Sequence, residues 1–433
     1  MKRFKSRSGY VFAIILTTLF VTACGLFGEE APPTVPPEPI TLRYVTFGVL
    51  AAAEDALIKQ FEADHPNLKI DSEEFRQSPL QYLTDTTPPD VITIAPSRWL
   101  DQAIEQNLVT DISDLWQQAG FVDAYPANLR ALSERDGKQY FLPIGYNWNG
   151  IYYNKEVFAQ YNLQPPRTWD EFMALCDTLL VNGVTPLSLS GSDPFMAALW
   201  IDYLDLRLNG ADFHRQLGNG EIPYDDARVR AVFELWRSLF NQGYFLEDAR
   251  NMSSLTSLMA TIRGDKGEVV SNKAAMVLSG SLYMDDLPEP FRPELDFFPF
   301  PSIDPTLPSS EVVFSIGYMI PANAPHRTEA LTFLTYLGSE QAQAILYQNA
   351  NSGLYAPARI MDGAGELPAT VQQGIQLVQN SETVGIPYFL SIDDRQQFGL
   401  DDILRRIVSD PQASKPFDLD ELLSKLEEAR LAQ

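Results

Sequence analysis

The stretch "ITLRYVTFGVLAAAEDALIKQFEADHPNLKIDSEEF", residues 40–75, decides the fold. "ITLRYVTFG" (40–48) is rich in β-branched and aromatic residues, the composition of a strand. The next block carries Leu57, Ile58 and Phe61 on one helical face and stops at Pro66, because proline cannot extend a helix from within. "LKIDSEEF" then reads as a second strand. Strand, helix and strand in close succession make a β-α-β unit, so the chain is expected to be α/β.

Working outward, "PPDVITIA" (88–95) is a short apolar run that suits a strand buried on both faces, followed by a helix from about Trp99 to Gln106. In "PPRTWDEFMALCDTLLV" (165–181), Thr168 and Glu171 form a capping box ahead of Phe172, Leu175, Cys176 and Leu179 at helical spacing. Cys176 therefore belongs to the buried stripe, as a small core residue. "AAMVLSG" (274–280) and "VVFSIGYMIP" (312–321) read as strands, while "RTEALTFLTYLGSEQAQAILYQ" and "DLDELLSKLEEARLA" read as amphipathic helices. No long period repeats, which excludes solenoids and propellers.

At 433 residues the chain exceeds one ordinary core, so two domains are expected. Its formal net charge of −25 excludes nucleic acid as a partner, since no basic cluster outside the N-terminus offsets it. Two distant cysteines, Cys24 and Cys176, form neither a disulfide framework nor a redox pair. His65, His214 and His326 have no ligand spacing for a metal and read as surface or helix-end residues. No cofactor is expected.

Lys2, Arg3, Lys5 and Arg7, then an apolar run from Val11 to Phe20, then Thr22-Ala23 before Cys24, follow the layout of a secretory signal too short to span a membrane. Val21-Thr22-Ala23-Cys24 resembles a bacterial lipobox, which implies cleavage before Cys24 and acylation of its thiol. The Pro-rich segment that follows has little to bury and reads as a spacer. The expected plan is a signal peptide at 1–23, a lipid-anchored linker at 24–39 and a globular body from Ile40.

The usual signatures of serine hydrolases, dinucleotide and phosphate loops and zinc proteases are missing. Asp225-Asp226, Asp285-Asp286, Asp393-Asp394 and Asp401-Asp402 read as solvated turns or helix starts in so acidic a chain.

The segment "DGKQYFLPIGYNWNGIYYNKEVFAQYNLQPPRTWDEFMALCDTLLV" (136–181) resembles the extracellular solute-binding proteins of ABC importers, family 1, the maltose-binding-like group. The resemblance rests on DGK-x-Y-x-LP, YYNK-x-x-F and P-x-TWDEF, and it continues through "PDVITIA", "AAMVLSGSLYMDDL", "FPFP", "GYMIPANAPHRTEALTFLTYLGSEQAQ" and "GLYAPAR". It implies two α/β lobes of the type II periplasmic-binding-protein-like fold, about 40–145 plus 316–360 and 146–312 plus 365–433, with solute between them and hinge closure in place of catalysis. It implies a monomer at the outer face of the cell membrane, on the periplasmic side or the cell surface. There it would capture a carbohydrate, an oligosaccharide or polyol, for an ABC permease.

Sugar sites pair aromatic faces, which cover pyranose C–H groups, with polar groups that saturate hydroxyls. Candidates by position are Phe47 at the first strand end, Ser97, Arg98 and Trp99 after "PDVITIA", and Tyr146, Asn147, Trp148 and Asn149 where the chain enters the second lobe. The family's stacking tryptophan falls in "SGSLY", where Tyr283 is the available aromatic; Tyr318, Tyr355 and Tyr388-Phe389 complete the set. Two alternatives stand beside the sugar receptor. The same fold could take a peptide, an organic anion or a phosphorylated polyol, and several cationic groups in the cleft would favour an anion. A secreted glycan-degrading lipoprotein would need two facing carboxylates about 5 to 10 Å apart.

Overall fold

A computed structural model describes residues 38–48, 50–262, 274–349, 367–409 and 418–432. Cys24, the signal at 1–23, nearly all of the linker and Tyr355 lie outside the described residues. From Ile40 on, the chain forms one compact unit built around two main sheets.

The thirteen strands among the described residues, in chain order, are β1 (Ile40–Thr46), β2 (Leu68–Glu74), β3 (Val91–Ile94), β4 (Glu134–Arg135), β5 (Lys138–Gln139), β6 (Leu142–Tyr146) and β7 (Asn149–Asn154), then β8 (Leu187–Ser188), β9 (Met276–Gly280), β10 (Leu295–Phe298), β11 (Ser310–Val312), β12 (Ser315–Met319) and β13 (Thr383–Gly385). The first sheet has the order β2-β1-β3-β12-β6, and the second β10-β7-β9-β8. β1 runs parallel to β2, from Ile40 opposite Leu68 to Thr46 opposite Glu74, and parallel to β3 on its other side, as the β-α-β reading requires. β12 returns antiparallel between β3 and β6.

"VVFSIGYMIP" is not one strand. Ser310–Val312 pairs with β13, whereas Ser315–Met319 joins the first sheet, and the chain passes from one to the other at Val313-Phe314. An apolar run shows that a segment is buried and does not show in which sheet.

The first sheet packs on the helices Ala51–Asp64, Arg327–Leu337 and Glu340–Asn349 around Leu57, Phe61, Phe333 and Leu346. The second sheet packs on Trp169–Val181, Pro194–Asn209 and Ala227–Asn241 around Phe172, Cys176, Trp200 and Trp236. Thr168 caps its helix as its spacing predicts: Glu171 N–H donates to Thr168 Oγ1 at 3.3 Å, and Thr168 N–H donates to Glu171 Oε2 at 3.1 Å. Such a cap stabilises by about 1 kcal/mol. Cys176 is fully buried, and burial pushes its thiol up, so it stays a protonated core group.

A third cluster takes residues from both sheets, with Ile92 and Tyr146 beside Trp148, Tyr152 and Phe297. It forms where the chain crosses between them. No helix among the described residues is long and apolar enough to cross a membrane.

Candidate functional site

The chain crosses at Asn147-Trp148, between β6 and β7, and again at Val313-Phe314. The two crossings are laced together. Asn147 N–H donates to the carbonyl of Phe314 at 3.0 Å, and Phe314 N–H donates to Asn147 Oδ1 at 2.7 Å. Asn149 Nδ2 donates to the carbonyl of Val312 at 2.7 Å, and Asn147 Nδ2 to Asn149 Oδ1 at 3.3 Å. A Cβ on Gly280 would come within 2.8 Å of both side-chain amides, so β9 ends directly against them.

The helix Pro194–Asn209, packed on the second sheet, grips the same crossing through charge. Arg207 Nη2 meets Glu311 Oε1 at 2.8 Å, and the Tyr203 hydroxyl donates to Glu311 Oε2 at 2.7 Å. Burial raises the Glu311 carboxyl, while Arg207 opposes the shift. A buried carboxylate without that guanidinium would be strongly destabilising.

These contacts involve four of the expected site residues. Asn147 and Asn149 have their amides committed to the crossing backbone. Trp148 is buried, stacked on Phe297 with ring centroids 6.1 Å apart, and so close to Gly374 that a Cβ there would lie 2.0 Å from the indole. Tyr146 is fully buried. In this conformation none of the four offers a face to a solute.

Two more expected aromatics are also internal. Tyr318 packs edge-on against Tyr44 at 5.5 Å, in the first sheet's core. Tyr44 donates to Glu54 Oε1 at 2.5 Å, and burial raises the Glu54 carboxyl against the pull of that bond and of Thr46. Tyr388 is buried, its hydroxyl bonded to that of Tyr224.

What remains open lies at the ends of β1 and β3. Phe47 keeps 38% of its surface and Trp99 41%, the latter at the start of the helix Arg98–Glu105. Phe47 stacks on Phe75 at 4.7 Å, which fixes its ring without covering it. Ser97 is buried and donates its hydroxyl to the Ala95 carbonyl at 2.9 Å. Arg98 reaches the other sheet's unit: its Nη1 lies 3.5 Å from Asp393 Oδ2.

Beside Asp393, the ring of Phe389 meets that of Phe195 edge-on at 4.6 Å. Asp193 starts the helix Pro194–Asn209 by accepting the Phe195 N–H at 3.1 Å, and its other oxygen accepts the Ser254 hydroxyl at 2.9 Å. Tyr283 hydrogen-bonds to Ser254 and is pushed up to about 12, chiefly by burial and then by the charge of Asp193. Half-buried, it packs against both the second sheet's core and the cluster at the crossings.

Phe47 and Trp99 thus lie in the half that supplies Arg98, and Phe195, Phe389, Asp193 and Ser254 in the half that supplies Asp393, where Arg395 is a second guanidinium 3.9 Å from the same carboxylate. Reading the sequence missed Asp193, Phe195 and Ser254. Aspartate before proline does mark a helix start, but nothing local says that this start lies beside Phe389. Asp393, which the sequence reads as a solvated turn or a helix start, does start the helix Asp394–Ser409, accepting the Gln396 N–H at 2.8 Å, and its other oxygen faces Arg98. Among the described residues no group of three His, Cys, Asp or Glu side chains is placed to hold a metal ion.

Comparison with known proteins identifies the family and the fold. Residues 48–344 match the family model of the bacterial extracellular solute-binding proteins. An uncharacterized ABC transporter extracellular-binding protein of Pyrococcus horikoshii is 25% identical over 402 residues, covering 87% of each chain. The xylose/arabinose-binding protein of Haloferax volcanii is 25% identical over 312 residues, 67% of this chain and 64% of its own. Among solved structures, the bacterial solute receptor AcbH, described as having an exclusive substrate preference for β-D-galactopyranose, superposes with a TM-score of 0.78. It is 21% identical, and the match covers 91% of this chain and 97% of the receptor.

Proposed function

The chain belongs to the bacterial extracellular solute-binding proteins, and from that premise we propose that it captures a carbohydrate between its two sheets and delivers it to the membrane subunits of an ABC importer. The observation that carries the sugar reading is the exposed aromatic ring of Trp99 directly after Arg98, whose guanidinium meets Asp393 of the other half. Aromatic faces cover the C–H surface of a sugar ring, and carboxylates accept from its hydroxyls more strongly than neutral groups do. An anion would need free cationic groups, and Arg98 already faces Asp393.

The solute enters while the sheets are apart, touches the β1 and β3 ends, and is enclosed when the second half closes about the crossings at Asn147-Trp148 and Val313-Phe314. No bond is made or broken. Lobes of about 40–145 plus 316–360 and 146–312 plus 365–433 follow from this reading, and the relatives that bind xylose, arabinose and galactopyranose support a small sugar or short oligosaccharide.

A thermal-shift screen against D-galactose, D-xylose, L-arabinose, oligosaccharides, peptides and organic anions tests the assignment, because a ligand that binds only the folded state raises the melting temperature. A shift with one sugar class supports it. A shift with an anion or peptide alone overturns the sugar reading and keeps the receptor.

Cys24 is the lipid anchor in this account, through acyl chains that contribute about 0.8 kcal/mol per buried methylene. Cys24→Ala is expected to move the protein from the membrane fraction to the soluble fraction with unchanged solute affinity. A variant still held on membranes contradicts the anchor.

A further inference from the structure

The helix Ala211–Gly218 buries His214 among groups that take no part in the cleft itself. Nδ1 lies 3.0 Å from Asp205 Oδ2; Nε2 lies 3.2 Å from the carbonyl oxygen of Ile386 and 3.7 Å from Asp202 Oδ1. All three partners are acceptors. A neutral imidazole carries one N–H and would serve one side only, so the geometry asks for the imidazolium. Burial alone would lower His214, yet the hydrogen bond and charge of Asp205, backed by Asp202, outweigh it and lift the ring to about 9. Asp202 is itself pushed up to about 6, chiefly by burial.

From this group a run of hydrogen bonds leads to the cleft. Asp202 Oδ1 accepts the Tyr388 N–H at 2.8 Å. The Tyr388 hydroxyl meets that of Tyr224, which accepts from Gln396 Nε2 at 3.2 Å. Gln396 and Asp393 clasp each other: Asp393 N–H donates to Gln396 Oε1 at 3.0 Å, and Gln396 N–H donates to Asp393 Oδ1 at 2.8 Å. Asp393 Oδ2 is the oxygen that faces Arg98. His214's own helix sits on the same turn, since a Cβ on Gly218 would lie 2.9 Å from Ser391 Cβ.

We infer that His214, as an imidazolium, is a positioning residue for the cleft: it fixes the segment from Ile386 to Gln396 so that Asp393 is held against Arg98 between the two sheets. Loss of its proton removes one of two donors and leaves Asp202 and Asp205 without their buried counter-charge. The segment then loosens, and the contact between the halves with it. The inference rests on the closure mechanism proposed above and not on the identity of the solute.

The surrounding charges do not imitate this response. Arg228, whose guanidinium lies over Phe213, is raised chiefly by its hydrogen bond to Asp226, with a smaller part from Asp205, and stays cationic. Tyr224 and Tyr388 are pushed up by burial, away from neutral pH. Glu427 and Arg430 near Tyr224 stabilise each other's charged forms, with Asp225 adding to the hold on Arg430, and Arg395 sits 3.9 Å from Asp393.

The test needs no solute. Spin labels on p-acetylphenylalanine at exposed Lys59 and Lys425 of the full chain report the distance between the halves, while nuclear magnetic resonance of labelled histidine follows His214. In the wild type the short-distance population is expected to fall at least about twofold between about pH 7.5 and pH 10, in step with the His214 titration. His214→Gln, checked for folding by circular dichroism, should lack that response and resemble the high-pH wild type throughout. Asp393→Asn should loosen the halves at every pH while His214 titrates as before. A wild-type distance that stays fixed while the His214 signal titrates, or a His214→Gln chain that keeps the wild-type response, overturns the inference. Failure of every sugar to bind would refute the proposed solute and leave this result standing.

Discussion

Residues 146–149 and the strand ends at Phe47 and Trp99 give a reader of the sequence the same signal, aromatics beside small polar groups. In the structure Tyr146 to Asn149 are all at most 3% exposed, whereas Phe47 and Trp99 keep 38% and 41% of their surfaces. The buried set holds two chain crossings together, and the open set faces solvent. Burial separates the residues that lace the crossings from those left facing solvent, where residue type does not.

The comparison can be broken most sharply at Trp148. Trp148→Ala empties the space between Gly374 and Phe297 and is expected to cost about 3 to 5 kcal/mol in urea unfolding. A loss below about 1 kcal/mol would place Trp148 back at the surface.

Gly374→Ala approaches the same packing from the other side. Its methyl would lie 2.0 Å from the indole, so the expected cost is about 1 to 3 kcal/mol by overpacking. A neutral result would mean that the helix Ala369–Asn380 can retreat from the crossing.

A third effect concerns protons. His214 is raised to about 9 when folded and stands near 6.5 when unfolded, so the native state binds the extra proton between those values. Its contribution is complete below about pH 6.5 and disappears as pH rises through about 9. The melting temperature should therefore fall over that window more in the wild type than in His214→Gln; equal slopes contradict the buried imidazolium.

The smallest effect on stability belongs to Trp99. Trp99→Ala should change unfolding by no more than about 0.5 kcal/mol, because the ring is exposed, while weakening the bound sugar at least about tenfold in calorimetry. An unchanged dissociation constant would remove Trp99 from the site.

The α/β class, the β-α-β opening, the Thr168 capping box and the burial of Cys176 were legible in the sequence because each rests on local spacing. The site was legible only in part. Phe47, Arg98 and Trp99 sit at the ends of recognisable strands. Asp193, Ser254 and Tyr283 meet one another, and Asp393 meets Arg98, only through long-range packing, which no local pattern encodes. His214 shows the same limit. A lone histidine near a helix end reads as surface, but two carboxylates nine and twelve residues earlier are folded back onto it, whereas His65 and His326 do lie at helix ends.

The central claim, that solute is held at the open strand ends and enclosed by motion about the buried crossings, is tested most directly by hydrogen–deuterium exchange of the full chain with and without a sugar found in the screen. The account predicts new protection around Phe47, Arg98–Trp99, Asp193–Phe195, Tyr283 and Phe389–Asp393, with residues 147–149 slow to exchange in both states. Protection confined to other surfaces, or residues 147–149 exchanging freely until sugar is added, would contradict it.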